Sequence, residues 1–194
     1  MDDAGRLLDA VIERGSDADV AAWIATGRDG LLVLREELTG SQPRHWRDVH
    51  PKDAIDGLSN AAATIAAVHP DAFLEVFADP QFDENGFVLT GLGLIDDPRA
   101  TERLAAATKS RSNWTRMDAA IGLGRRMATL AVDALIPLLQ DRDYLVRYHT
   151  LRSLGAVGDA RALQALTAFR APSDVEANLA TVAMRRIGRR LQGS

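Results

Sequence analysis

A repeat interval of about 31 residues, within the range that marks stacked supersecondary units, constrains this chain more than any other feature. The segments "GLGLIDDPRATERL" (91–104), "GLGRRMATLAVDAL" (122–135) and "SLGAVGDARALQAL" (153–166) superimpose without a gap. Leu92, Leu123 and Leu154 coincide, as do Gly93, Gly124 and Gly155, then Ala100, Ala131 and Ala162, then Leu104, Leu135 and Leu166. The register extends upstream, laying Arg111 on Arg142 and Arg116 on Arg147. A fourth copy, "NLATVAMRRIG", follows with a two-residue slip that brings Gly188 into register with Gly155. Self-similarity of this kind marks a stacked repeat architecture, in which one supersecondary unit cannot bury its apolar face alone.

The unit itself reads as two short antiparallel helices. In "LVRYHTLRSLGAVGD", Leu145 or Val146 falls on one helical stripe with Thr150, Leu154 and Val157. Gly155 and Gly158 permit close packing and helix termination. Asp159 is placed to cap a second helix from about Ala160, which carries Leu163, Leu166 and Phe169. "RAPSD" breaks that helix and Asp174 opens the next. Pro137, inside "VDALIPLLQ", predicts a kink in the equivalent helix of the preceding copy.

Over residues 1–80 the period fades while the helical character persists. Ser16, with Asp19 three positions on, opens a helix that closes at Gly27; Pro51 and Pro70 stand at first turns. The whole chain is expected to form one all-α domain, a right-handed α-solenoid of antiparallel helical hairpins. Residues 1–80 serve as divergent capping hairpins and residues 81–194 as the repeats.

A short helical hairpin reading "VR…LG…GD.RA…L" resembles the HEAT-like repeat of the phycobiliprotein lyases, over roughly 84–191. Arg147 matches the arginine of that pattern, and "LGAVGDARALQAL" matches its signature. At 122–135 the chain departs from it, with Arg125, Arg126 and Met127 in place of the apolar-glycine turn. The resemblance implies a binding scaffold. Action on bilin chromophores, as in the namesake lyases, has no specific support in these residues.

Composition narrows the function further. The absence of cysteine removes disulfides, thiolate metal sites and cysteine nucleophiles. Alanine and leucine dominate while only 5% of residues are aromatic, which favours closely packed helices. The apolar runs fall short of the ~20 residues a membrane span needs. The acidic, amphipathic N-terminus has the wrong chemistry for a targeting peptide, which predicts a cytoplasmic protein. With 21 arginines against 2 lysines, the coding genome reads as GC-rich, and the HEAT-like resemblance implies a small bacterial protein. Charge is divided sharply: residues 1–97 carry a net −12 and residues 98–194 a net +8. Such polarity bears on partners, and it permits head-to-tail self-association and a homodimer.

No P-loop, nucleophile elbow or zincin motif occurs, and no nucleophile, base and orienter converge, so no catalysis, cofactor or metal is expected. His45, Trp46, Asp48 and His50 share a polar loop, read as packing and capping an inter-helix connection. The favoured working surface comes from repeat geometry. One helix of each pair lines the concave face, where Trp114, Asp118 and Ile121 are followed by Tyr148, His149 and Arg152 and then by Arg185. Aromatics and arginine are the residue types that anchor protein partners. Arg186, Arg189 and Arg190 extend Arg185 into a basic end, suited to an acidic protein surface or a phosphate-bearing ligand. The expectation is a non-enzymatic scaffold that grips a partner protein on this face. The alternative is nucleic-acid binding: Trp114 and Asp118 form a W-x-x-x-D pair similar to the active helix of HEAT-like alkylpurine DNA glycosylases.

Overall fold

The structure, a computed structural model, describes residues 3–40, 51–126 and 129–192. Among the described residues there are twelve α-helices, two short 3-10 helices and no strand. By contact density the chain forms two compact units, Met1–Ile95 and Asp96–Ser194.

The first unit contains α1 (Asp3–Glu13), α2 (Asp17–Ala25), α3 (Arg28–Thr39), α4 (Pro51–Val68), α5 (Pro70–Val76) and α6 (Gly86–Leu92). Its starts follow the local chemistry. The Ser16 hydroxyl accepts from the Asp19 amide to cap α2, and Pro70 occupies the first turn of α5, where a missing N–H costs nothing. The chain leaves α2 through Gly27, whose φ of +56° would strain a residue bearing a Cβ. Helix α5 stops at Val76, well before Pro80, which instead opens a 3-10 turn capped by the Asp79 carboxylate. The long α4 is central and packs against α1, α2, α5 and α6. Trp23 is fully buried against it, its indole N–H donating to the Ala61 carbonyl at 3.0 Å. Phe73, Phe77 and Phe82 form a buried cluster, the first pair tilted and the second edge-to-face, at centroid distances of 4.7 and 5.1 Å.

The second unit contains α7 (Pro98–Ala107), α8 (Asn113–Leu123), α9 (Thr129–Leu135), α10 (Tyr144–Val157), α11 (Ala160–Ala168) and α12 (Asp174–Gln192). Alternate helices associate. Helix α10 packs between α8 and α12, while α7 pairs with α8 and with α9, and α11 with α12. Asp97, Asp143 and Asp159 cap α7, α10 and α11 through their carboxylates, and Ser112 caps α8. At Pro137 the strain is absorbed by a change of helix type: α9 ends at Leu135 and the chain continues as a 3-10 helix over Ile136–Gln140.

The repeat register is also the packing register. Leu123, Leu154 and Ile187 are fully buried at equivalent positions of α8, α10 and α12. Of the two candidates for the α10 stripe, Val146 is buried and Leu145 exposed.

Neighbouring repeats are also tied by a recurring polar device. Arg116 on α8 and Arg147 on α10 hold equivalent positions in successive copies. Each donates through Nη1 to a carbonyl just before its own helix, that of Ser110 at 3.0 Å and of Asp141 at 2.8 Å. Each then reaches forward to a carboxylate of the next repeat: Arg116 Nε to Asp141 at 2.6 Å, and Arg147 Nε to Glu176 at 2.7 Å. Asp141 thus serves two repeats, receiving one arginine on its side chain and the other on its backbone.

Candidate functional site: the face of α8, α10 and α12

The singled-out residues lie along α8, α10 and α12, which the register places side by side. Asp118 on α8, His149 on α10 and Val182 on α12 occupy equivalent positions, as do Ile121, Arg152 and Arg185. Trp114 occupies the position of Leu145. Since Trp114 is 60% exposed and Leu145 38%, the position is an outward one on both helices.

Helix α10 carries an aromatic ladder. Tyr144 and Tyr148, one turn apart, have ring centroids 6.0 Å apart, and the Arg152 guanidinium lies 5.8 Å over the Tyr148 ring. His149 meets the same ring edge-on at 5.2 Å. Tyr144 is a member that the sequence reading passes over, although its spacing of four from Tyr148 is the available signal. Farther along, Val175 and Val182 add exposed apolar area on α12.

Two titratable groups on this face are shifted by burial. The Asp118 carboxyl is pushed up to about 6 by desolvation, with no ion pair or hydrogen bond from its side chain among the described residues. His149 is lowered, first by burial and then by the Arg152 charge, which favours the neutral imidazole.

The four basic residues near the C-terminus divide by role. Arg190 donates through Nη1 to the Gly155 carbonyl and through Nη2 to the Gly158 carbonyl, both at 2.9 Å, and so closes the C-terminal end of α10. Arg185, Arg186 and Arg189 are exposed. The stem of Arg186 lies over Gly155, and its head borders a hollow of about 280 Å³ together with Arg152.

His45, Trp46, Asp48 and His50 lie outside the described residues, as does Met127. His69, at the start of α5, engages the Ile24 carbonyl through Nε2 at 2.8 Å and so ties α5 to the end of α2. No group of three or more histidine, aspartate or glutamate side chains among the described residues is placed to hold a metal. No described helix is long and apolar enough to cross a membrane.

Stacked helices in a recurring register, with Arg116 and Arg147 each tying one repeat to the next, define an α-solenoid. A family model for HEAT repeats matches residues 123–185, about a third of the chain, so that segment is HEAT-like. The crystal structure of an engineered protein resembles this chain at a TM-score of 0.50 and 17% identity, covering 97% of this chain and 98% of that one. At that identity the likeness concerns the fold alone. No curated protein matches the chain. HEAT repeats generally serve as scaffolds for protein interaction and are typically not catalytic.

Proposed function

We propose that the face of α8, α10 and α12 is the concave, partner-binding face of a non-enzymatic scaffold, and that its partner is a protein presenting apolar groups within an acidic surface. The carrying observation is the exposed row of Trp114, Tyr144, Leu145, Val175 and Val182, flanked by Arg152 and Arg185. Large aromatics beside arginine are what protein hot spots are built from. The net +8 of residues 98–194 favours an acidic counterpart and speeds its encounter.

The test is affinity capture with the wild-type chain and with Trp114→Ala/Tyr148→Ala, followed by calorimetry on each purified captured protein. A partner whose Kd weakens at least tenfold in the double variant supports the reading, at about 1.4 kcal/mol per decade. A partner bound equally well by both refutes this face as the site.

Nucleic-acid binding is a second reading, carried by the exposed Trp114 one turn from Asp118, which has no partner among the described residues, on the same helix. Fluorescence anisotropy with single- and double-stranded DNA at low and physiological salt decides it. Affinity that falls steeply with salt and depends on Trp114 would favour it, and no binding at low salt removes it.

A further inference from the structure

The hollow between α8, α10 and α12 has a composition that a general protein-docking face does not require. Its rim carries Arg152 from α10 and Arg186 from α12, and Ile121 and Ala156 form apolar walls. The same two arginines border an adjoining hollow of about 110 Å³ on the α12 side. Among the described residues no carboxylate lines either one. Neither arginine has an ion pair or hydrogen bond among the described residues, whereas Arg116 and Arg147, deeper in the same layer, are fully engaged. Two unneutralised guanidiniums that share a concavity repel one another, and a bound anion relieves that repulsion.

A third donor lies within the hollow. Ser153 is 7% exposed and lines it, yet its hydroxyl makes no hydrogen bond to the described residues. The Thr150 hydroxyl on the same helix takes the usual course, donating back to the Val146 carbonyl at 2.8 Å. The Ser153 hydroxyl is left free to reach into the hollow, where it can donate to a ligand oxygen. Gly124 keeps this hydroxyl reachable, because a Cβ at that position would lie 2.4 Å from Ser153 Oγ. His149 adds an imidazole at the edge.

We propose that this hollow binds a phosphate monoester, held by the Arg152 and Arg186 guanidiniums and by the Ser153 hydroxyl. Two planar forks and a hydroxyl match an anion with three terminal oxygens better than a carboxylate with two. Ile121 and Gly124 line the hollow on the α8 side, and its volume of about 280 Å³ suits a single phosphoryl group. The hollow shares Ile121, His149 and Arg152 with the protein-docking face, but anion binding is read without any protein partner, so the two readings fail separately.

The experiment is a titration of the full chain, followed by the arginine Nε–Hε resonances in ¹H–¹⁵N spectra at constant ionic strength. The probes are inorganic phosphate, a hexose phosphate and an end-blocked phosphoserine peptide, with acetate and chloride as controls. Saturable shifts of Arg152 and Arg186 with phosphate probes, at a Kd of about 1 mM or tighter, are expected. Arg152→Gln and Arg186→Gln should each weaken binding at least tenfold, and Ser153→Ala about threefold. Preference for the peptide or for the sugar ester identifies which carrier of the phosphate the site takes, and either supports it. Arg189→Gln removes the same charge from an exposed site on α12 outside the hollow; if it weakens binding as much as Arg186→Gln, the attraction is only net charge and the proposal fails. It also fails if the shifts do not saturate, if acetate reproduces them, or if a DNA duplex displaces phosphate with steep salt dependence.

Discussion

Arg147 holds two repeats together, and its removal should destabilise the chain by much more than the loss of a surface charge. Glu176, its partner, is 1% exposed and lies at the start of α12. Burial acts to raise the Glu176 pKa, but the hydrogen bonds from Arg147 and Ser173, with the Arg147 charge, outweigh it, so the carboxyl titrates below its ordinary range. Truncation to Arg147→Ala strands that carboxylate with the Ser173 hydroxyl at 2.6 Å, and frees the Asp141 carbonyl that accepted from Nη1. Breaking a buried pair from one side costs about 3–5 kcal/mol, against about 0–1 kcal/mol for an exposed pair. We expect about 3 kcal/mol, the lower end, because Arg147 keeps some contact with solvent.

Urea denaturation followed by circular dichroism at pH 7 measures this, in a cycle with Glu176→Gln and the double variant. If the two side chains act through each other, the double variant loses less than the sum of the singles, by about 1–3 kcal/mol. The pH dependence adds a second check. A depressed carboxyl contributes stability above its unfolded pKa and loses it as pH falls through the folded value, so the gap between wild type and Glu176→Gln should narrow as pH falls below the unfolded value of about 4.3. A loss under about 1 kcal/mol for Arg147→Ala, or strictly additive variants, would refute the inter-repeat device.

The repeat glycines give a pair of opposite predictions. A Cβ on Gly124 would stand 2.7 Å from Ser153 Cβ and 3.0 Å from its Cα, so Gly124→Ala must push α8 and α10 apart and should cost about 1–3 kcal/mol in thermal or urea unfolding. Gly188 sits inside α12 with nothing within 4 Å of its Cβ position, so Gly188→Ala should stabilise by about 0.5–1 kcal/mol; equal signs for the two would contradict the packing. The Asp118 carboxyl, raised to about 6, destabilises the fold as pH rises from its unfolded pKa through that value. Asp118→Asn should therefore gain about 1–3 kcal/mol at pH 8 and nothing at pH 4, and a carboxyl ¹³C titration with a midpoint near 4 would overturn this. Removing the α11 cap in Asp159→Ala should cost about 1 kcal/mol, read by the same melts, and no measurable loss would refute the capping role.

The fold is legible in the sequence because packing constrains the same positions in each copy. Leu123, Leu154 and Ile187 recur as large apolar residues since each fills the same space between layers. The caps are legible for a similar reason: Asp159 and Ser16 satisfy amides that any helix start leaves open. Other features depend on spatial neighbours that sequence spacing does not disclose. Arg116 meets Asp141, which lies before α10, whereas Arg147 meets Glu176, which lies inside α12, so no fixed offset reveals the pairing.

The working face is harder still, because solvent imposes no recurrence on it. Where the core repeats leucine, this face places Asp118, His149 and Val182 at one register position, and Ile121, Arg152 and Arg185 at another. The repeat locates such positions without saying which side chains act together. Arg186 shows the difference: along the sequence it belongs to a basic end with Arg189 and Arg190, yet in space it leaves that group to face Arg152 across the hollow, while Arg190 caps α10. Ser153 is overlooked for the opposite reason. Its register equivalent in the fourth copy is Arg186, so nothing in the repeat marks it as polar and buried, and only the close approach of Gly124 reveals a hydroxyl held open. In a stacked-repeat protein, recurrence identifies what holds the chain together, and departures from it at outward positions are where a specific ligand can be read.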